Sequence, residues 1–396
     1  MTDQLESLEP HARSGAAPAR RVLQVLGYAS DGRRSSGITG VEKVVLLLVQ
    51  GLPPRFDSYL AYPAAGTLQS KVRQLCRATL DVEPRRWYDG RYVQTLADFI
   101  ESHAVDLVVS HGLRFDWHAA LAARRTGRPH LVVRAVALAD ELMPGWRRQV
   151  FGAVDGWTLR SCDAIVAVSE ASRRRMLQTQ RLPADKIVVI PNGVAVRNVN
   201  AAERAAARRA LGIEPGTRLV GAVGQLIPRK CFEVLVQALA QVRAAHPNVT
   251  GIVLGEGPER ERLMAEARSL GVPLLLPGFV SDPQATVSAF DVAVLPSRAE
   301  GMPLVVLESM GLGVATIATA VAGTPEVIED GVSGLLVPPA DSTALATALG
   351  RILEDDALRA RLALAGAERV GSKFTLQAML DAFAALFERV ASRPRS

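Results

Sequence analysis

Short runs of consecutive apolar residues, rich in Val, Ile and Leu, alternate along the chain with longer stretches in which apolar residues recur every three or four positions. RVLQVL (21–26), DLVVS (106–110), HLVVR (130–134), AIVAV (164–168) and IVVI (187–190) read as strands. Gly40–Gly51, 93–103 and Glu170–Gln180 read as the amphipathic helices between them. Strands this uniformly apolar are buried on both faces, which predicts a parallel sheet covered by helices. Residues 196–210, rich in Ala, Arg and Asn, contain no strand pattern and read as a boundary helix or linker. The alternation then resumes. RLVGAV (218–223), TGIVL (250–254), PLLL (273–276), DVAVL (291–295), VATIA (314–318) and GLLV (334–337) supply strands, with helices near 231–245, 259–270, 303–311 and 343–354. The pattern therefore predicts an α/β protein with two doubly wound domains in tandem. Residues 1–20 read as a disordered tail, 21–195 as the first domain and 196–374 as the second. Residues 375–396 form a final helix free to pack on either domain. In such sheets ligands bind at the carboxyl ends of the strands.

Composition agrees with this plan and narrows the setting. A chain of 396 residues is too long for one ordinary core, and 48% hydrophobic residues with 22% charged ones provide for a substantial interior. The longest uncharged run, 309–325, is diluted by glycine, threonine and serine and ends in proline, so it makes a poor membrane span. The N-terminal stretch carries acidic residues where a signal peptide would be basic. Cys76, Cys162 and Cys231 are odd in number and widely spaced, which fits a reducing compartment. A cytoplasmic protein is expected. Its net charge of +6 comes mostly from arginine, without the aromatic interleaving of a nucleic-acid module. Solvated helix faces account for most of it. The segment Gly145-Trp146-Arg147-Arg148-Gln149-Val150-Phe151 is the candidate for peripheral contact with an anionic membrane face or a lipid-linked acceptor.

The stretch 294–312, VLPSRAEGMPLVVLESMGL, concentrates the candidate chemistry. A strand end breaks at Pro296-Ser297 and restarts as a helix, with Pro303 expected as its first residue. Backbone amides around 301–304 would form an anion site at that helix tip. Glu300 sits on the loop and Glu308 about one and a half turns into the helix. A helix tip flanked by two carboxylates suits a ligand with an anionic middle and hydroxylated ends. An isolated pair of glutamates at this spacing reads more simply as two solvated side chains. Two glycine turns after strands, Gly221-Ala-Val-Gly224 and Gly255-Glu-Gly-Pro258, are neither a Walker loop nor a dinucleotide fingerprint. With no DxD or HExxH motif and six scattered histidines, no protein metal site is expected.

The ordered set of these pieces resembles the retaining, GT-B-fold glycosyltransferases of family 4, glycosyl transferases group 1, over 21–374. Thr39-Gly40-Val41-Glu42 is similar to the family's N-terminal glycine loop, and Asp106-Leu-Val-Val-Ser-His111-Gly112 to its first-domain histidine motif. Asp163-Ala-Ile-Val-Ala-Val-Ser169 and Ile190-Pro-Asn-Gly193-Val194 resemble the segments that close the first domain. Gly224-Gln-Leu-Ile-Pro-Arg-Lys230 resembles the phosphate-binding segment. Pro296-Ser, Glu300-Gly-Met-Pro and Glu308 resemble the paired-glutamate signature, followed by Ala322-Gly-Thr-Pro-Glu326.

The resemblance implies two Rossmann-like domains facing a central cleft, the first on the acceptor side and the second on the side of a nucleoside diphosphate (NDP) sugar donor. The reaction implied is transfer of a sugar to an acceptor hydroxyl with retention of anomeric configuration, without a metal cofactor. Glu308 would hold the ribose hydroxyls and Glu300 the transferred sugar, while the amides of Gly301, Met302 and Leu304 would cradle the donor. Lys230 would neutralise the diphosphate. Gly40 would let backbone approach that diphosphate from the first domain, and His111 would face the sugar. Lys230, Glu300 and His111 form the implied catalytic set.

The chain also departs from the pattern. Gln225 stands where arginine is common, and Cys231 where glycine is. Loss of one charged hydrogen bond would weaken diphosphate binding by about 1.5–3 kcal/mol unless a neighbour such as Arg229 substitutes. A histidine often found after the strand at 130–134 is not evident in VALAD (136–140). Acceptor loops around 33–39, 66–69 and 114–118 carry no readable code. A saccharide or lipid-linked acceptor in polysaccharide or glycolipid synthesis is expected first, then a small natural product. The rival classes are a catalytically silent nucleotide-sugar-binding partner and a sugar-nucleotide epimerase.

Overall fold

The structure, a computed structural model, describes residues 19–27, 39–63, 72–86, 88–134, 145–280 and 283–392, and only the backbone of 113–114, 134 and 145–151. Residues 1–18, the loop positions 33–38 and 66–69, VALAD (136–140) and the side chains of Arg114 and the 145–151 segment lie outside the described set.

The chain divides into two compact units. Among the described residues, one spans Asn192–Leu376 and the other comprises those from 19 to Pro191 together with those from Gln377 to 392. The first sheet contains β1 (Arg20–Leu26), β2 (Phe56–Ala61), β3 (Ala78–Leu80), β4 (Leu107–His111), β5 (His130–Arg134), β6 (Ala164–Ala167) and β7 (Ile187–Val189). Its order is β3-β2-β1-β4-β5-β6-β7, with every pairing parallel. The second sheet contains β8 (Arg218–Val223), β9 (Val249–Leu254), β10 (Leu274–Gly278), β11 (Val292–Leu295), β12 (Ala315–Thr319) and β13 (Leu335–Val337). Its order, β10-β9-β8-β11-β12-β13, is again parallel throughout. Strand order reverses between β1 and β4 and between β8 and β11. In open parallel sheets of this kind, ligands bind beyond the carboxyl ends of the strands at such a reversal.

The apolar runs supply both cores. Val220, Val253, Val292, Val294 and Ile317 are buried against Leu235, Leu239 and Leu349 of the covering helices. Two strands were not evident from pattern. In β2 the run FDSYLA is broken by Asp57, which ion-pairs with Arg77 at 3.0 Å, and β3 is only three residues long. The stretch read as boundary or linker contains the helix Ala201–Ala210, opened by an Asn200/Glu203 capping box. Arg208 fastens this helix to the base of β11, donating to the Ala289 carbonyl at 2.8 Å and to Asp291 at 3.1 Å.

The last helix, Leu376–Ala391, belongs to the unit of the first sheet, where Leu380, Phe383 and Phe387 are buried. Phe387 meets Phe56 edge-on at 5.9 Å. Just before that helix, Thr375 bridges to Val194, with Val194 N–H donating to Phe374 O at 3.0 Å and Leu376 N–H to Val194 O at 3.1 Å. The two points at which the chain passes from one unit to the other are thus bound to each other. No helix among the described residues is long and apolar enough to cross a membrane.

Candidate functional site

At the β8/β11 reversal, two loops leave neighbouring strands side by side. The loop after β8 is held by the glycine turn after β9: Gly224 N–H donates to Leu254 O at 2.9 Å and Leu226 N–H to Glu256 O at 2.8 Å. A Cβ on Gly255, whose φ is +147°, would stand 2.0 Å from Gly224 O. Only glycine lets these two backbones touch. A 3-10 turn over Pro228–Lys230 follows, and the chain enters the helix Phe232–Val242 through Cys231 at φ 51°, ψ 42°. The residue at the unexpected position therefore occupies the left-handed conformation that favours glycine. Its thiol is buried and donates to Pro228 O at 3.3 Å, and burial pushes its pKa up.

The 3-10 turn aims two cations at the loop after β11. Lys230 Nζ donates to Glu300 Oε1 at 2.6 Å, and Arg229 Nη1 lies 3.8 Å from Glu300 Oε2. Glu300 is only 8% exposed. Burial alone would raise its pKa, but the Lys230 and Arg229 charges and the Lys230 hydrogen bond outweigh it, holding the carboxyl below its ordinary value. The buried Ser297 hydroxyl lies close enough to help, without a hydrogen bond of good geometry.

Backbone carbonyls of this loop are tied down in series. Thr319 Oγ1 donates to Ser297 O at 2.5 Å, Arg229 Nη1 to Ala299 O at 2.9 Å, Gly323 N–H to Gly301 O at 2.9 Å and Asn192 Nδ2 to Met302 O at 2.8 Å. The following helix is Leu304–Gly311. Pro303 is its N-cap, at φ −75° and ψ 113°, rather than its first residue. An extended ψ keeps Pro303 outside the helix while its carbonyl accepts from Val306 and Leu307 N–H at 3.1 and 3.3 Å. Amides at the start of this helix precede the first intrahelical acceptor, so they remain available to an anion. Glu308, half-buried, stands about one turn further along.

The structure thus groups Arg229, Lys230 and Glu300 in direct contact and continues from them into Gly301, Met302 and Leu304. Glu308 follows on the same helix. Gln225, half-buried, lies on the loop after β8, where its carbonyl accepts from Ile227 N–H at 2.9 Å.

Gly40 and His111 belong to the other unit. Gly40 opens the helix Gly40–Gly51, capped by Thr39 and the buried Glu42 in a reciprocal capping box. Tyr62 donates its hydroxyl to Glu42. His111 ends β4 at the reversal beside β1, and its Nε2 lies 2.7 Å from Gln24 Oε1. With Gln24 Oε1 as the acceptor, the ring donates from Nε2. Burial lowers the imidazole pKa to about 3, so the ring is neutral at ordinary pH. Sequence reasoning gave no role to Gln24, Asn192 or Thr319. Gln24 was visible as the one polar residue in RVLQVL after its initial arginine, and Asn192 lay within a segment matched only as a whole.

Comparison with known proteins follows the same division. The profile for glycosyl transferases group 1 matches residues 203–369, and that for Glycosyltransferase Family 4 matches 38–198. A D-inositol 3-phosphate glycosyltransferase of Stackebrandtia nassauensis is 32% identical over 314 residues, 73% of this chain and 70% of the relative. An alpha-D-kanosaminyltransferase of Streptomyces kanamyceticus is 28% identical over 239 residues, 59% of this chain and 62% of that protein. The crystal structure of Anabaena HepE in complex with UDP-glucose superposes with a TM-score of 0.82 at 22% identity, covering 93% of this chain and 99% of that one. Two parallel Rossmann-like sheets, adjoining profile matches and a relative similar over most of both lengths lead to one assignment: the chain belongs to the group 1 glycosyltransferases of the GT-B fold.

Proposed function

We propose that the protein transfers a sugar from an NDP-sugar to an acceptor hydroxyl with retention of anomeric configuration, in polysaccharide or glycolipid assembly. The observation that carries this reading is the pair of half-buried Lys230 and buried Glu300 at the β8/β11 reversal, next to the start of the helix Leu304–Gly311. Lys230 has three protons, and its hydrogen bond to Glu300 leaves others for a diphosphate oxygen. As the glycosidic bond breaks, negative charge grows on the leaving diphosphate. Lys230, the amides near 301–304 and Arg229 would stabilise that charge as it develops.

Glu300, already ionised, would accept hydrogen bonds from the transferred sugar, and Glu308 from the ribose. Neither is proposed as a nucleophile; the departing phosphate would take the acceptor proton on the same face. Gly40 and His111 are proposed as substrate-contacting residues of their own unit, His111 through its neutral ring. Cations of the chain itself replace a divalent metal in this scheme, so turnover should persist in excess EDTA.

UDP-glucose, the ligand of the HepE complex, is the first donor to test. A second reading concerns the acceptor. The name of the inositol 3-phosphate relative favours a small hydroxylated molecule rather than a growing polysaccharide. An NMR assay with a panel of NDP-sugars and acceptors, D-inositol 3-phosphate included, separates these readings and reports the product anomer. Inversion at the anomeric carbon contradicts the stereochemical proposal. Binding of a donor with no nucleoside diphosphate released on prolonged incubation shows a silent binder instead. Flotation with anionic liposomes tests whether a cytoplasmic protein makes peripheral contact through 145–151.

A further inference from the structure

We infer that Asn192 is a positioning residue that couples the crossings between the two units to the donor-side loop. Asn192 is the first described residue of its unit, immediately after the chain leaves the other one at Pro191. Its side chain is buried, and Nδ2 donates to the buried Met302 carbonyl at 2.8 Å, 110 residues away. Met302 is two residues after Glu300 and two before the helix begins at Leu304. One amide therefore sets the peptide plane between the carboxylate and the helix tip. The next residues bind the second crossing: a Cβ on Gly193 would stand 2.3 Å from Thr375 O, and Val194 bridges to Thr375. Both crossings and the loop are joined through residues 192–194.

Geometry and burial make this contact specific. A carbonyl accepts, so only the amide nitrogen of Asn192 suits it, and aspartate of the same shape would present an acceptor to an acceptor. The remaining carbonyl restraints on the loop come from Thr319, Arg229 and Gly323, all of the same unit and none at a crossing. Asn192 is the described restraint through which a change at the crossings reaches the Glu300 loop, and through which ligand on that loop reaches the crossings.

The inference rests on the proposed donor site, and its test separates the two. Full-length wild type, Asn192→Asp and Asn192→Ala are compared by UDP titration calorimetry, UDP-glucose turnover and hydrogen exchange with and without UDP, with Thr319→Val as a loop control remote from the crossings. In wild type, UDP should slow exchange both at 301–305 and at 192–194 and 374–376. Both Asn192 variants should lose the slowing at the crossings, weaken UDP binding about tenfold and lower kcat more than they raise KM. Thr319→Val should weaken UDP binding while keeping the slowing at the crossings. Variants that are less thermostable yet bind UDP, turn over and transmit protection as wild type does would reduce Asn192 to a structural role. Wild type that binds none of UDP, GDP and ADP overturns the donor-site reading itself. If neither Asn192 variant folds, Thr319→Val still decides, because loss of crossing protection in that variant contradicts the assigned route.

Discussion

Replacing Lys230 by methionine tests the Lys230/Glu300 pair most severely. The substitution keeps an apolar stem of similar length and removes the charge. Glu300 would then remain ionised and 8% exposed, with its nearest described cation, Arg229, 3.8 Å away. Breaking a buried ion pair from one side costs about 3–5 kcal/mol. For units of this size, at about 2–4 °C per kcal/mol, the melting transition of the Asn192–Leu376 unit should fall by roughly 6–20 °C. Glu300→Gln should cost less, about 1–3 kcal/mol, because Lys230 is 13% exposed and can turn toward water. The double variant leaves neither charge stranded, so it should be more stable than Lys230→Met alone.

Acidification provides an internal control. The folded pKa of Glu300 is lowered from its ordinary 4.5. Its charge therefore contributes stability that is fully present above the ordinary value and is lost as pH falls through the folded one. The stability gap between wild type and Glu300→Gln should shrink over that acidic window. Circular dichroism melts of the four proteins at neutral and acidic pH measure all of this. A Lys230→Met transition within about 2 °C of wild type, smaller than the shift of one lost kcal/mol, refutes the reasoning. So does a double variant no more stable than Lys230→Met.

Gly255→Ala should cost several kcal/mol and abolish UDP-dependent thermal stabilisation, since its methyl would press on Gly224 O; unchanged stabilisation in a melting assay counts against the backbone-on-backbone account. Phe387→Ala should cost about 3–5 kcal/mol and lower the transition of the first-sheet unit alone, which calorimetry can resolve. Because burial holds His111 neutral down to about pH 3, the rate profile of wild type between pH 5 and 9 should contain no limb that disappears in His111→Asn. Arg229→Ala should weaken UDP binding about tenfold or more if it offsets Gln225; unchanged affinity, with Lys230→Ala abolishing binding, removes that role.

The two-sheet plan was legible because β1, β4, β5, β8, β9, β11 and β12 are predominantly apolar runs, the pattern of a doubly covered parallel strand. Strand β2 hid behind Asp57 and Ser58, one paired with Arg77 and the other buried in the sheet. The helix Asp356–Lys373 was missed because Gly366 and Gly371 interrupt a weakly patterned sequence. In the site, the carboxylates and Lys230 could be named from sequence because a motif carries them. Their direct contact could not, since residues 230 and 300 meet only through the adjacency of β8 and β11. Arg229 shows the same limit from another side. Sequence suggested a cation for phosphate, whereas the fold also gives it the Ala299 carbonyl to hold. Pro303 was misplaced by one residue because proline suits both the first turn and the position before it.

The central claim is that the nucleoside diphosphate rests on Lys230 and the start of the helix Leu304–Gly311, with Glu308 on the ribose. A crystal structure of the protein with UDP tests it most directly. The account predicts phosphate oxygens within about 3.2 Å of Lys230 Nζ and of an amide in 301–305, and ribose hydroxyls within the same distance of Glu308. UDP bound elsewhere, with the Lys230/Glu300 pair untouched and Glu308 away from the ribose, would contradict it.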